Sequence, residues 1–116
     1  MKVPAVSGTY SNTTTWNFGG SFREIASTMD IDPSGFMYVT GTSDSDGMTS
    51  GFEDIFTFKF NPNTGTGVWG VNIGTYDSSS ENAMDIVVSP DMQSIYVVGV
   101  MDFNDYTFGA TDIFMI

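Results

Sequence analysis

The chain has 116 residues, 41% of them apolar and 15% aromatic, with 14 acids against three basic side chains and a net charge of −11. That length is one domain's worth with a modest core, the apolar content excludes a disordered chain, and the negative surface repels nucleic acid and anionic membranes, so neither is an expected partner. Cys and His are both absent, which removes disulfides, thiolate zinc sites and the most versatile general base.

No apolar run approaches the roughly 18 residues that span a bilayer, so no membrane insertion is expected. No basic-then-apolar leader follows Met1. Residues 1–11 read as a loose lead-in, and a strand is predicted over 13–18, stopped by Gly19-Gly20. Residues 25–32 alternate, with Met29 and Ile31 on one face and Asp30 and Asp32 on the other. Pro33-Ser34-Gly35 is a turn, because Pro presets φ and Gly supplies a positive one. Residues 36–42 form the next strand and 43–51 a polar loop. Residues 54–60 alternate again, with Phe56, Phe58 and Phe60 opposite Thr57 and Lys59. Asn61-Pro62-Asn63-Thr64-Gly65 is a turn, followed by strands over 68–73, 83–88, 95–100 and 111–116. Eight short strands and no helical spacing give an all-β chain.

The strands recur. Ala26 returns as Ala83 and Pro33 as Pro90, 57 positions on. Tyr38, Gly41 and Asp54-Ile55-Phe56 return as Tyr96, Gly99 and Asp112-Ile113-Phe114, 58 positions on, so one residue is inserted between Pro90 and Tyr96. A strand-built repeat of this length points to propeller blades or a similar array. The expected division is a lead-in over 1–11, a first blade repeat over 12–60 and a second over 61–116, each opening on a Trp strand (Trp16, Trp69).

The first repeat carries Trp16, Gly19-Gly20, Met29-Asp30-Ile31-Asp32, Gly35, Tyr38-Val39-Thr40-Gly41 and Asp54-Ile55-Phe56. The second carries Trp69, Gly74, Asp85, Tyr96-Val97-Val98-Gly99 and Asp112-Ile113-Phe114, with Asp91-Met92-Gln93-Ser94 in place of the turn Gly. This pattern resembles the SBBP-type β-propeller repeat. Thr64-Gly65 with Trp69 is also similar to the blades of pyrroloquinoline-quinone-type propellers, where the Trp docks between blades; Trp69 is read as packing, since no quinone-binding residues are present. Both resemblances imply consecutive four-stranded antiparallel blades. Propellers typically have about four to eight blades, so the chain is expected to be a fragment of a longer propeller or a homo-oligomer that completes a ring, in preference to a two-sheet sandwich.

Thr42-Ser43-Asp44-Ser45-Asp46-Gly47, with Glu53 further on, departs from a Ca²⁺ loop only at its first position. Oxygen donors at alternate positions, a Gly turn and a late acid suit Ca²⁺, so Asp44, Asp46 and Glu53 are candidate ligands; the plainer reading is a solvated loop. Apart from Ca²⁺ at this loop, no cofactor is expected. Asp30, Asp32 and Asp85 are read as acids on a solvated strand face or as acceptors for turn amides, not as a glycosidase pair. Asp54 and Asp112, being repeated, are assigned a structural task. The eight Met residues are assigned to core gaps.

No catalytic residue is assigned. The expected function is a non-enzymatic repeat module that scaffolds or binds a protein or glycan through its rim loops (43–51, 76–81 and 102–109), outside the cytoplasm: secreted, periplasmic or at the cell surface. The alternatives are a fragment of a propeller-fold glycan lyase or hydrolase whose catalytic residues lie outside this chain, and a calcium-dependent adhesive module.

Overall fold

The computed structural model describes residues 23–44, 53–74, 80–102 and 111–115. The described residues are all-β: β1 (Glu24–Ile31), β2 (Met37–Ser43), β3 (Asp54–Asn61), β4 (Thr66–Ile73), β5 (Ser80–Val88), β6 (Ile95–Asp102) and β7 (Thr111–Met115). They form a four-stranded sheet in the order β1-β2-β3-β4 and a three-stranded sheet in the order β5-β6-β7, with every neighbour antiparallel. The strand expected over 13–18 lies outside the described residues. The Trp69 strand, grouped with the second repeat by the division at 60/61, is hydrogen-bonded to β3 and forms the edge of the first sheet.

The two sheets repeat in detail. The β1–β2 ladder skips Ser27, and the β5–β6 ladder skips Met84, the residue 57 positions on. Each skip is a β-bulge, which bends the strand and sharpens its twist. Gly41 stands opposite Ala26 beside the first bulge, and Gly99 stands opposite Ala83 beside the second. A side chain at Gly41 would collide with the Ile25 carbonyl oxygen and come within 2.8 Å of Ala26 Cα. The Gly of the Tyr-Val-x-Gly element is thus explained by the close approach of the bulged strand.

The turns repeat as well. Gly35 adopts φ 85° and Met92, 57 positions on, adopts φ 61°. The first turn closes with Asp32 N–H donating to the Phe36 carbonyl (3.0 Å), the second with Ser89 N–H donating to the Ser94 carbonyl (2.9 Å). The inserted residue is therefore inside the second turn.

Which face of each sheet is covered differs from the expectation. On the first sheet Tyr38, Thr40, Thr42, Ile55 and Thr57 share one face by register and are buried. On the second sheet Glu81, Ala83, Ile86 and Val97 share the opposite face of the repeat and are buried. Tyr38 and Ile55 form one hydrophobic cluster with Ala83, Ile86 and Val97. The sheets thus stack head to tail, one face of the first on the other face of the second. Met29 and Ile31 are exposed, whereas Asp30 is half-buried and Asp32 is 3% exposed. The alternation is as predicted, but the reading of these acids on a solvated face is corrected for both: their face is turned toward the second sheet. Met29, Met84 and Met92 are likewise exposed rather than core fillers.

Hydroxyl groups make this arrangement affordable. Thr40 Oγ1 lies 3.0 Å from Thr57 Oγ1 and donates to the Phe56 carbonyl at 2.9 Å. Thr42 Oγ1 donates to Asn82 Oδ1 across the sheets at 3.2 Å. Buried polar atoms that find partners avoid a desolvation cost of about 1–3 kcal/mol each.

Candidate functional site

The strands bring their ends together at two opposite poles. The chain between β2 and β3, between β4 and β5 and between β6 and β7 all leaves from one pole, because Ser43 pairs with Asp54, Ile55 with Ile73, and Ser80 with Asp102, which itself pairs with Thr111. Glu81 N–H donates to the Glu53 carbonyl at 2.9 Å, which joins the two sheets at this pole. The tight turns 32–36 and 89–94 lie at the other.

The loop pole is acidic. Arg23 lies just before β1 and gathers two loop acids. Its backbone N–H donates to Asp44 Oδ1 at 2.7 Å, its Nε lies 3.4 Å from Asp44 Oδ2, and its guanidinium also donates to Glu53 Oε1. Asp44 N–H returns a bond to the Arg23 carbonyl at 3.1 Å. Two of the three candidate Ca²⁺ ligands, Asp44 and Glu53, therefore converge on one cationic group; Asp46 lies outside the described residues. Among the described residues no three acids are arranged to hold a metal ion. The ion pair is exposed, which limits its worth to about 0–1 kcal/mol.

Beneath it lie two buried acids, Asp54 (5% exposed) and Glu81 (1%). Burial, and then the charge of Glu81, push the Asp54 carboxyl above its ordinary range. Asp54 also packs on Gly74, where any side chain would overlap its carboxylate. A carboxyl raised beside another is the electrostatic pattern of an acid–base pair. Here both members are buried, Asp54 at the start of β3 and Glu81 in β5. Glu81, expected at the end of the rim loop 76–81, instead belongs to β5 and is buried. Its signal was present: it stands two positions before Ala83, and a period of two puts both on the apolar face of β5.

The turn pole holds a second network. Asp32 Oδ1 accepts from Ser34 N–H (2.9 Å) and Phe36 N–H (3.0 Å), and Oδ2 from the Tyr38 hydroxyl (3.1 Å). Lys59 Nζ lies 3.3 Å from the same Oδ2 and 4.7 Å from the ring centroids of Phe36 and Tyr38. Burial opposes ionisation of Asp32, but the bonds from Phe36 N–H, Tyr38 and Lys59 outweigh it and hold its carboxyl below the usual range. The Tyr38 hydroxyl, and then Asp32, hold the Lys59 ammonium above its ordinary range against burial. Trp69 meets the Tyr38 ring edge-on at 5.9 Å and 66°, so it packs across its own sheet. The reading of Asp32 as an acceptor for turn amides is met.

Asp30 and Asp85 stitch the sheets. Asp30 Oδ2 accepts Val88 N–H at 2.8 Å, and Asp85 Oδ1 accepts the Thr28 hydroxyl at 3.3 Å. Both acids act as acceptors along the seam between β1 and β5.

No protein-family model matches the chain, and neither the curated proteins nor the solved structures contain a match to it.

Proposed function

We propose that this chain is a non-enzymatic β-propeller repeat module of the SBBP type, which presents its loop pole to a protein or glycan partner outside the cytoplasm. The observation that supports this most is the recurrence, 57 positions apart, of the bulge at Ser27 and Met84 and of the positive-φ turn residue at Gly35 and Met92, in sheets that stack head to tail. Such repetition makes each sheet a building unit and leaves function to the loops carried on it. Both buried acid sites serve the fold: one carboxyl pair is buried, and the other is spent on a turn and a lysine.

Binding to an array of glycans and surface proteins tests the reading. Replacing residues 45–50 with a short flexible linker is expected to abolish capture, while replacing the 62–65 turn at the opposite pole leaves it intact. Capture that survives the first replacement, or turnover of a polysaccharide by the purified chain, sinks the proposal.

A calcium-dependent variant of this module is the second reading, favoured by the convergence of Asp44 and Glu53 on Arg23. A Ca²⁺ ion would displace the guanidinium. A rise in melting temperature at about 1 mM Ca²⁺, lost in Glu53→Gln, is its expected mark; an unchanged wild-type melt removes it.

A further inference from the structure

We propose that the two outward faces of this molecule are a matched pair, and that a second copy of the chain docks on it head to tail, the Met29–Ile31 edge of one molecule lying on the Val87–Tyr96 face of the next. The proposal is independent of which partner the loops take.

Inside the molecule, the Tyr38 face of the first sheet is covered by the Ile86 face of the second. Each of these faces has a repeat equivalent that is left outward. Tyr96 stands where Tyr38 does, yet it is 50% exposed against 3%. Met29 stands where Ile86 does, yet it is 46% exposed against 3%. Extending the internal contact by one repeat therefore brings these two outward faces together.

The side chains at the outward positions fit that contact. Asp30 meets the backbone of Val88 inside the molecule; the equivalent pair between molecules is Val87 with Ile31, both 53% exposed. Thr42 meets Asn82 inside; the equivalent pair is Val100 with Ile25, and Ile25 is 48% exposed. These two polar internal contacts thus become apolar ones. An open apolar groove lined by Val87, Tyr96 and Val98 lies where the next Met29 would enter. Exposed apolar side chains clustered at opposite ends of one repeat axis are the signature of a heterologous interface, which yields a closed ring or an open stack according to its rotation.

The test is solution mass by light scattering and sedimentation over a wide concentration range. The wild-type chain is expected to associate. Ile31→Asp and Val87→Asp each place a charge in the contact, and each is expected to weaken association about tenfold or more. An equimolar mixture of the two variants is expected to form a 1:1 dimer and nothing larger, since one intact face of each kind remains. Met84→Asp, at a bulge position outside the paired set, controls for the added charge and is expected to associate like wild type. Circular dichroism melts establish that each variant is folded. A wild-type chain that stays monomeric at every concentration overturns the proposal, including the case where these faces are covered by further sheets of a longer chain. Association that survives both variants, or a mixture that forms no dimer, overturns it too.

Discussion

The repeat-equivalent turns 32–36 and 89–94 at the turn pole do the same job with different chemistry. In the first, one carboxylate does everything: Asp32 ties the Ser34 and Phe36 amides, takes the Tyr38 hydroxyl and neutralises Lys59. Gly35 takes the positive φ there at little steric cost. In the second, the task is divided. Ser89 Oγ accepts Ser94 N–H at 2.9 Å and donates toward Asp91 Oδ1 at 2.6 Å, while Asp91 also takes Gln93 N–H at 3.1 Å. The positive φ falls on Met92, a residue that carries a Cβ. The first turn is therefore a buried electrostatic node and the second an exposed hydrogen-bonded loop. A common backbone path tolerates both, because the ladder and bulge fix where the strands end, and the turn residues need only join them.

That difference can be broken most forcefully at Asp32. Asp32→Ala leaves Lys59, whose side chain is 17% exposed, without its carboxylate and is expected to cost about 3–5 kcal/mol. Ser89→Ala at the matching position is expected to cost about 1 kcal/mol. Equal losses in urea unfolding would show that the two turns are energetically alike.

Gly41→Ala is the next largest effect, about 3 kcal/mol, because the bulged backbone of β1 must move. Gly99→Ala is expected to match it, since Gly99 holds the same register against Ala83. A harmless Gly99→Ala would mean that the second bulge is looser than the first.

A smaller effect lies at the positive φ. Gly35→Ala is expected to lose about 1–2 kcal/mol, and Met92→Gly to gain up to about 1 kcal/mol, by relief of the left-handed penalty less the added chain entropy. Thermal melts of both variants compare the turns directly.

The smallest effects are those of pH. The raised carboxyl of Asp54 costs stability where it is ionised, so acidification from neutrality relieves it first. The depressed carboxyl of Asp32 contributes stability at neutral pH that is lost as pH falls below the ordinary carboxylate range and through its own lowered pKa. Asp54→Asn is expected to raise the melting temperature at pH 7 and to lose that advantage in acid. An Asp54→Asn gain that persists unchanged at pH 3 would remove the electrostatic account of that pair.

Much of this was legible in the residues. The alternation over 25–32 and 54–60, and the turn signals at Pro33-Ser34-Gly35 and Asn61–Gly65, placed strands that β1 and β3 largely occupy. The recurrence of Tyr38 and Gly41 anticipated the repeated ladders. Of the candidate Ca²⁺ loop, Asp44 and Glu53 do come together, though on Arg23, a residue 21 and 30 positions upstream that no local motif could supply. The Asp54–Glu81 pair was less visible, because it joins residues from different sheets across the loop pole.

The sequence by itself determined where the chain is extended, where it turns and that it does so twice, because these follow from a period of two, from Pro and Gly, and from spacing along one strand. Tertiary structure alone decided which face of each sheet is covered. A period of two says that Met29 and Asp30 point apart; it does not say which of them meets another sheet. Here the second sheet lies on the side of Asp30, Thr40 and Thr57, whose polar groups find partners there, and the apolar Met29 and Ile31 are left outward. The membership of the Trp69 strand was decided the same way, by its hydrogen bonds to β3 rather than by its place in the repeat.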